Sequence, residues 1–275
     1  MKEEYIDILS KEKKSSNPAK NWNNRAKEFY RYTKEAKSNE VLDFLNSKME
    51  FTGKKILDIG CGAGRFLLPF VKAGAHVTGI DIAQDMIYYT EKILLESNIP
   101  KDSYELLKAD WKDIDLDARR WNSKFDLVFA SMSPGVSDWE SIEKLVVASK
   151  GHVFISSFAY RHESVLLELQ NHLESYREND WGERFRAMIN LLLLNGFLPD
   201  VKFTRKVGSM EFEVEDLINR YKHRFINSDP TGEKTEELRG LVDKIGSESN
   251  YTMYTDRVIG MFLFSVNDKI DKNTK

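Results

Sequence analysis

The sequence has little cysteine and no long apolar run. A single cysteine, Cys61, occurs among 275 residues, which excludes an internal disulfide and a zinc site built from several cysteines. The longest apolar runs, at 191–194 and 258–264, are far shorter than a membrane-spanning helix. The first residues are too polar for a signal peptide, so we expect a cytoplasmic protein with no membrane partner.

The sequence also lacks a surplus of charge of either sign. It has 41 basic and 44 acidic side chains and a formal net charge of -3, which gives no electrostatic footprint for DNA, RNA or an anionic membrane. The histidines are scattered without the spacing of metal ligands, so no metal site is predicted; they are His76, His152, His162, His172 and His223.

Strand-like and helix-like segments alternate through the middle of the chain. Nearly continuous apolar runs such as "FDLVFAS" are typical of strands covered on both faces, and helical segments of 11–15 residues separate several of them. This alternation predicts βαβ units and a parallel sheet, and hence an α/β fold with helices on both faces.

The two ends of the chain follow a different pattern. Residues 1–20 are highly charged and are expected to form a mobile or loosely docked N-terminal arm, with one domain over 21–275. Helical periodicity at about 213–248 predicts an insertion before the last strand, which covers 251–266. The segment 198–212 reads as a strand or a hairpin.

A glycine-rich loop follows the first predicted strand in "KKILDIGCGAGRF". Asp58 is followed by glycines at every second position, Gly60, Gly62 and Gly64. The loop lacks the Gly-Lys-Ser/Thr ending of a nucleoside triphosphate site. It also has no glycine at the third glycine position of the G-x-G-x-x-G motif of a dinucleotide site. At the carboxyl end of a strand in an open α/β sheet, the loop still predicts a ligand site.

The sequence around this loop resembles the class I S-adenosylmethionine-dependent methyltransferases. "LDIGCGAGRF" is similar to their first motif, "VTGIDIAQDMI" to the second, "LLKADW" to the third and "FDLVFASMSP" to the fourth, in the same order. The resemblance covers roughly residues 20–160. It implies a Rossmann-like, seven-stranded and mostly parallel sheet with an antiparallel last strand.

The resemblance also implies the cofactor, S-adenosylmethionine, with S-adenosylhomocysteine as product. In this family Asp81 would accept the ribose hydroxyls and Asp110 would accept from the adenine amino group. The cofactor-binding residues implied in this way are Arg25, Asp58, Gly60, Cys61, Gly62, Gly64, Asp81, Ile82, Met86, Asp110, Trp111 and Ser131.

Several of these residues have a second interpretation. Asp58 either contacts the ligand or orients the amides of the loop, and Trp111 either stacks on adenine or belongs to the core. Arg25 either pairs with the methionine carboxylate or lies solvated at the surface. Cys61 is read as a small residue that fits the loop, because no base lies near it in sequence to activate the thiol.

The resemblance implies a methyl transfer by in-line displacement, in which the protein supplies mainly position and desolvation. No catalytic residue is therefore predicted. The loop at 130–139 has Ser133-Pro134-Gly135-Val136 and lacks the second proline and aromatic residue of base-modifying relatives, which favours a small-molecule acceptor over a nucleic acid. Candidate acceptor contacts in the helical regions, expected to form a cap, are Tyr160, His162, Trp181, Arg184 and Tyr221.

Two alternatives stay open at this point. One is a methyltransferase that acts on RNA or protein, and the other is a regulatory protein that binds the cofactor without catalysis. The sequence predicts neither the acceptor nor the oligomeric state.

Overall fold

A computed structural model describes residues 2–10, 17–35, 39–172, 181–225, 232–245 and 250–270. The helices are α1 (Lys2–Ser10), α2 (Pro18–Glu35), α3 (Glu40–Asn46), α4 (Leu67–Lys72), α5 (Gln84–Glu96), α6 (Trp139–Ala148), α7 (Ser164–His172), α8 (Trp181–Leu194), α9 (Val214–Phe225) and α10 (Glu233–Ile245). The strands are β1 (Lys55–Ile59), β2 (His76–Asp81), β3 (Tyr104–Lys108), β4 (Phe125–Ser131), β5 (Ser149–Glu163), β6 (Asp200–Glu213) and β7 (Asn250–Ser265).

The strands form one sheet in the order β3-β2-β1-β4-β5-β7-β6. The pairs β1–β2, β2–β3, β1–β4 and β4–β5 are parallel, which confirms the predicted α/β Rossmann-like fold. The helical insertion before the last strand is also confirmed, since α9 and α10 lie between β6 and β7 in the chain. The segment read as a strand or hairpin is the single strand β6.

The strand order reverses between β1 and β4. From β1 the chain moves outward to β2 and β3, and then returns to the other side of β1 with β4 and β5. Loops that leave neighbouring strands in opposite directions open a crevice at the carboxyl ends of those strands. The glycine-rich loop follows β1 and therefore lies at this crevice.

Aromatic packing holds the centre of the sheet. Phe129 on β4 is fully buried and stacks on Phe154 of β5, with 4.8 Å between ring centroids and 9° between planes. Phe66 and Phe70 contact the same ring at 4.9 and 5.1 Å. The apolar run of β4 thus packs closely, as its sequence predicts.

The described residues divide into two compact units. The first contains residues 1–157, 183–203 and 260–275, and the second contains 158–182 and 204–259. In the first unit α2 packs on α5, where Tyr30 stacks on Tyr89 at 5.0 Å and its hydroxyl donates to the Glu96 carboxylate. In the second, α7, α9, α10 and β7 share a cluster of buried apolar residues that includes Leu169, Tyr221, Val242 and Met253.

The expected N-terminal arm contains a helix that the sequence pattern did not predict. Leu9 of α1 is buried, and the buried Arg184 of α8 donates to the carbonyl oxygens of Ile8 and Leu9 at 3.4 and 2.8 Å. A second nitrogen of Arg184 donates to the Ser137 carbonyl at 2.7 Å. The guanidinium thus links the last turn of α1 to the segment that precedes α6, where a cation suits the negative end of the helix dipole.

Candidate functional site

The loop after β1 is shaped by three left-handed glycines. Gly60, Gly62 and Gly64 have φ values of 73°, 55° and 81°, a region that L side chains rarely adopt. The amides of Gly60 and Cys61 both donate to the Ile80 carbonyl at the end of β2, at 2.9 and 3.0 Å. The loop is therefore tied to β2 by its backbone, and its spacing of glycines follows from its conformation.

The three glycines differ in the space around them. A Cβ at Gly60 would lie 2.5 Å from the Ser133 hydroxyl oxygen, and one at Gly64 would lie 3.1 Å from a methyl of Ile93. At Gly62 the nearest atom is a ring carbon of Phe29 at 4.0 Å. The middle of the loop is therefore the place where the backbone leaves room for a ligand.

Asp81 ends β2 and lies beside this open position. One carboxylate oxygen accepts from the Gly62 amide at 3.0 Å and the other from the Ala83 amide at 2.9 Å. Burial raises the pKa of Asp81, and the hydrogen bonds from Ala83, Gly62 and Ile82 oppose that rise. Its two oxygens together offer about four acceptor positions, so three amide donors leave capacity for a further one.

Asp58 lies one strand away and is almost completely buried. Burial raises its pKa to about 8, and the charge of Asp81 adds to the rise. Its Oδ2 atom is buried without a hydrogen-bond partner. A carboxyl group with such a pKa is mostly protonated at neutral pH, so Asp58 adds little negative charge beside Asp81.

Cys61 and Thr90 lie on the buried side of the glycine-rich loop. Burial raises the pKa of the Cys61 thiol well above its usual value, which keeps the sulfur protonated and a poor nucleophile. The Thr90 hydroxyl of α5 donates to the Gly62 carbonyl at 2.6 Å. Sequence reasoning missed Thr90, because a threonine within an apolar helix gives no signal of a contact 28 residues away.

The predicted adenine contacts lie after β3. The Asp110 carboxylate accepts from the Lys112 amide at 3.0 Å and so begins the 3₁₀ turn Trp111–Asp113. Trp111 is 2% exposed, and its indole N–H donates to the Ser141 carbonyl of α6 at 3.1 Å. These contacts are those of a core side chain. The stacking role of Trp111 stays a prediction that its burial does not favour.

The loop after β4 approaches the glycine-rich loop from the other side. The hydroxyls of Ser131 and Ser156 are hydrogen-bonded at 2.9 Å, and the Met132 amide donates to the Ser156 carbonyl at 3.0 Å. Met132 has a φ of 54°, an uncommon conformation for a residue with a side chain. With Ser133 close to Gly60, this turn brings β4 and β1 together at the crevice.

Helix α2 lies against the same loop. A ring carbon of its Phe29 is the atom nearest to where a Cβ at Gly62 would lie, and Asn23 accepts from the Asp85 amide at the start of α5 at 2.9 Å. Arg25 has its guanidinium over the rings of Trp22 and Phe29, at 5.2 and 4.9 Å, and is half exposed. Its role toward a methionine carboxylate stays a prediction.

The remaining predicted residues lie in different surroundings. On the second motif, Met86 is buried in α5 and Ile82 is half-buried. Tyr160 is exposed, His162 is half-buried, and the Tyr221 hydroxyl donates to Glu163 at 3.1 Å. The side chains of Trp181, His172 and His223 lie outside the described residues. Arg184 belongs to the first unit and Tyr221 to the second.

The described residues contain no group of His, Cys, Asp and Glu side chains that could hold a metal ion. In the same part of the chain, no helix has the length and apolar character needed to cross a membrane.

Comparison with known proteins gives one family match. Residues 56–149, which include β1 to β4 and α6, match the family described as "Methyltransferase domain". This stretch holds the glycine-rich loop, Asp81, Asp110 and the turn after β4.

Individual relatives agree with this match over part of their length. The ubiquinone biosynthesis O-methyltransferases of Chromobacterium violaceum and Ralstonia nicotianae are 34% and 32% identical over 130 residues. Those alignments cover 46% of this chain and 53% and 52% of the relatives, so the chain spans about half the length of the curated proteins it matches.

A solved structure supports the fold. The Haemonchus contortus "Phospholethanolamine N-methyltransferase 2", crystallised with S-adenosylhomocysteine, superposes with a TM-score of 0.50 at 15% identity. The superposition covers 95% of this chain and 59% of that one.

Proposed function

Since residues 56–149 match the family described as "Methyltransferase domain", we propose that this chain is a class I S-adenosylmethionine-dependent methyltransferase that transfers a methyl group to a small-molecule acceptor. The observation that carries the proposal is the cradle formed by the open backbone at Gly62 and the Asp81 carboxylate beside it. The free pair of ribose hydroxyls of a nucleoside can donate hydrogen bonds to this carboxylate.

The residues of the cradle fit such a cofactor. Gly62 leaves space that a side chain would fill, Asp81 retains acceptor capacity, and Asp58 has a buried oxygen without a partner. We propose that these residues hold the ribose and methionine portions and that Asp110 accepts from the adenine amino group. When bound, the sulfonium of the cofactor supplies an already activated methyl group.

In the reaction, the chain itself positions the cofactor and the acceptor and excludes water. The Gly60–Gly64 loop is fixed by Ile80, Asp81 and Thr90, so the backbone that would face the cofactor has a defined shape. With protonated Asp58 and Cys61 the site carries few charges of its own. A general base is required only for an acceptor that loses a proton during attack.

Binding of S-adenosylhomocysteine to Asp81 variants tests the donor site. Asp81→Asn and Asp81→Ala should weaken binding at least about tenfold in calorimetry, because a buried charged acceptor is lost. Asp126→Asn is the matched control, since Asp126 lies at the amino end of β4 and binds the Lys55 amide at 2.9 Å. Equal affinity in Asp81→Ala and wild type would exclude this carboxylate from the site, and binding of NAD in place of S-adenosylhomocysteine would contradict the cofactor.

The acceptor class is tested by transfer of a labelled methyl group from S-adenosylmethionine. The proposal expects label in the small-molecule fraction of a metabolite extract, with the Asp81→Ala variant as the blank. Label in RNA or protein would favour a macromolecular methyltransferase instead. Tight cofactor binding with no label in any fraction would favour a regulatory protein without catalysis.

A further inference from the structure

A buried carboxylate in the second unit, that of Glu163, is hydrogen-bonded by two positively charged arginine side chains. Glu163 ends β5, and its side chain is 1% exposed. Its Oε1 atom accepts from Arg161 at 2.6 and 3.2 Å and from Arg220 at 3.3 Å, and its Oε2 accepts from the Tyr221 hydroxyl at 3.1 Å. Two guanidinium groups therefore share one oxygen of a single carboxylate.

A third arginine, Arg257, lies on the same face of the sheet as Glu163. On β7, Met253 and Thr255 are buried while Tyr254 between them is 64% exposed, so alternate residues point inward and Arg257 continues the inward series. Met253 lies on this face, because its sulfur is 3.1 Å from the Tyr221 hydroxyl. We call Arg161, Arg220 and Arg257 the arginine set.

The arginine set contains donors that the described chain does not satisfy. The Nε atoms of Arg220 and Arg257 are both buried without a hydrogen-bond partner. A buried donor on a charged group that lacks an acceptor lowers stability, so such atoms are uncommon unless something else accepts from them. Two other carboxylates of the second unit pair with other arginines, Asp256 with Arg205 and Glu215 with Arg239.

Arg161 and Arg220 of the arginine set are held against aromatic rings and are partly exposed. The Arg161 guanidinium lies 5.1 Å from the ring centre of Phe158, and that of Arg220 lies 5.5 Å from Phe212. Their side chains are 12% and 26% exposed, so neither is sealed from solvent. Planar guanidinium groups held against aromatic rings present pairs of N–H donors that match the oxygens of a carboxylate or a phosphate.

We propose that the arginine set of the second unit binds the carboxylate or phosphate group of a small molecule. Glu163 anchors Arg161 and Arg220, and the bound anion accepts from guanidinium nitrogens of the set that Glu163 does not occupy. The proposal concerns the second unit alone and does not depend on the identity of the methyl donor.

Anion titrations of the full chain test this proposal. Sodium phosphate and sodium acetate are titrated separately at constant ionic strength, with sodium chloride as the balancing salt and saturating S-adenosylhomocysteine present so that the glycine-rich loop does not compete. The wild type should show saturable binding of at least one of the two anions by calorimetry and a rise in unfolding temperature. The stronger of the two distinguishes a phosphate from a carboxylate ligand.

Variants assign the binding to the arginine set. Arg220→Gln and Arg257→Gln should each weaken anion affinity at least about tenfold, because each removes a charge-assisted donor. Arg205→Gln, which removes the same charge from an exposed pair in the same unit, should leave affinity unchanged. If Arg220→Gln fails to fold, the anion affinities of Arg257→Gln and Arg220→Lys test the proposal instead. Equal affinity in all variants, or no saturable binding by wild type, would overturn the proposal.

Discussion

The two ends of the sheet differ in how their strands are covered. β1 is buried at four of its five positions, whereas β6 at the far edge is exposed at all but a few positions. Val207 on β6 is 71% exposed and Phe129 on β4 is fully buried. The buried end holds a loop of defined shape, and the exposed end holds side chains whose neighbours are mostly solvent. We therefore expect sensitivity to substitution to fall from one end to the other.

The largest expected effect is in the aromatic core. Phe129→Ala removes a ring that contacts Phe66, Phe70 and Phe154 and should lower the free energy of unfolding by about 3–5 kcal/mol. Val207→Ala at the exposed end should change it by less than about 0.5 kcal/mol. Urea denaturation measures both. Similar losses for the two variants would remove the contrast between the ends.

The next effect concerns the link between α1 and α8. Arg184→Met keeps the apolar stem but removes donors to the carbonyls of Ile8, Leu9 and Ser137, and should cost about 2–3 kcal/mol. Limited proteolysis followed by mass spectrometry should show earlier cleavage within residues 2–10. Arg186→Met on the same helix serves as the control. Unchanged cleavage in Arg184→Met would mean that α1 is held by apolar contacts such as those of Leu9.

Asp58 gives the buried end a pH dependence. Its folded pKa of about 8 lies above the unfolded value of about 3.9, so the folded state binds more protons between these limits and stability falls as pH rises. The slope should be about 1.4 kcal/mol per pH unit near pH 6, and Asp58→Asn should remove most of it. Denaturation midpoints from pH 5 to 8 measure the slope.

Asp126, at the amino end of β4 in the same sheet, should give a pH dependence of stability with the opposite sign. Burial tends to raise its pKa, but the Lys55 amide and Lys150 outweigh that effect and hold the pKa below its usual value. Its contribution is present at neutral pH and is lost only as pH falls through the acid range. Asp126→Asn should therefore leave the slope above pH 5 unchanged. A flat wild-type profile would contradict the buried, protonated state of Asp58.

The smallest effect is expected for the exposed pair Arg205–Asp256. The Arg205 guanidinium donates to both carboxylate oxygens at 2.9 and 2.7 Å, but its side chain is 67% exposed. Solvent screens such a pair, so Arg205→Gln should shift the unfolding temperature by less than about 2 °C. A larger shift in a thermal melt would show that the exposed end is more tightly coupled than its burial indicates.

Sequence reasoning was most informative where local pattern and tertiary role coincide. The left-handed conformations of Gly60, Gly62 and Gly64 follow from their residue type, and Asp81 lies at the end of β2 as its motif predicts. Hydrophobic patterning also separated the buried strands from the helices. These features depend on neighbours close in the chain.

It was least informative where a contact joins distant segments. Arg184 was a candidate acceptor contact, but it binds carbonyls about 175 residues earlier in the chain, and no periodicity reports such a pairing. Helix α1 was missed because its nine residues carry a weak pattern and are fixed by this long-range contact. Trp111 was ambiguous for the same reason, since its partner Ser141 is 30 residues away.

The hydrogen bonds around Gly62 have a consequence for the thermodynamics of binding. Glycines lose more backbone entropy than other residues when they are ordered, and this loop contains three of them. Asp81, Thr90 and Ile80 impose that order through the protein's own contacts, so its entropic cost belongs to folding. A ligand that enters such a loop would not have to order it again, and more of its interaction energy would appear as affinity.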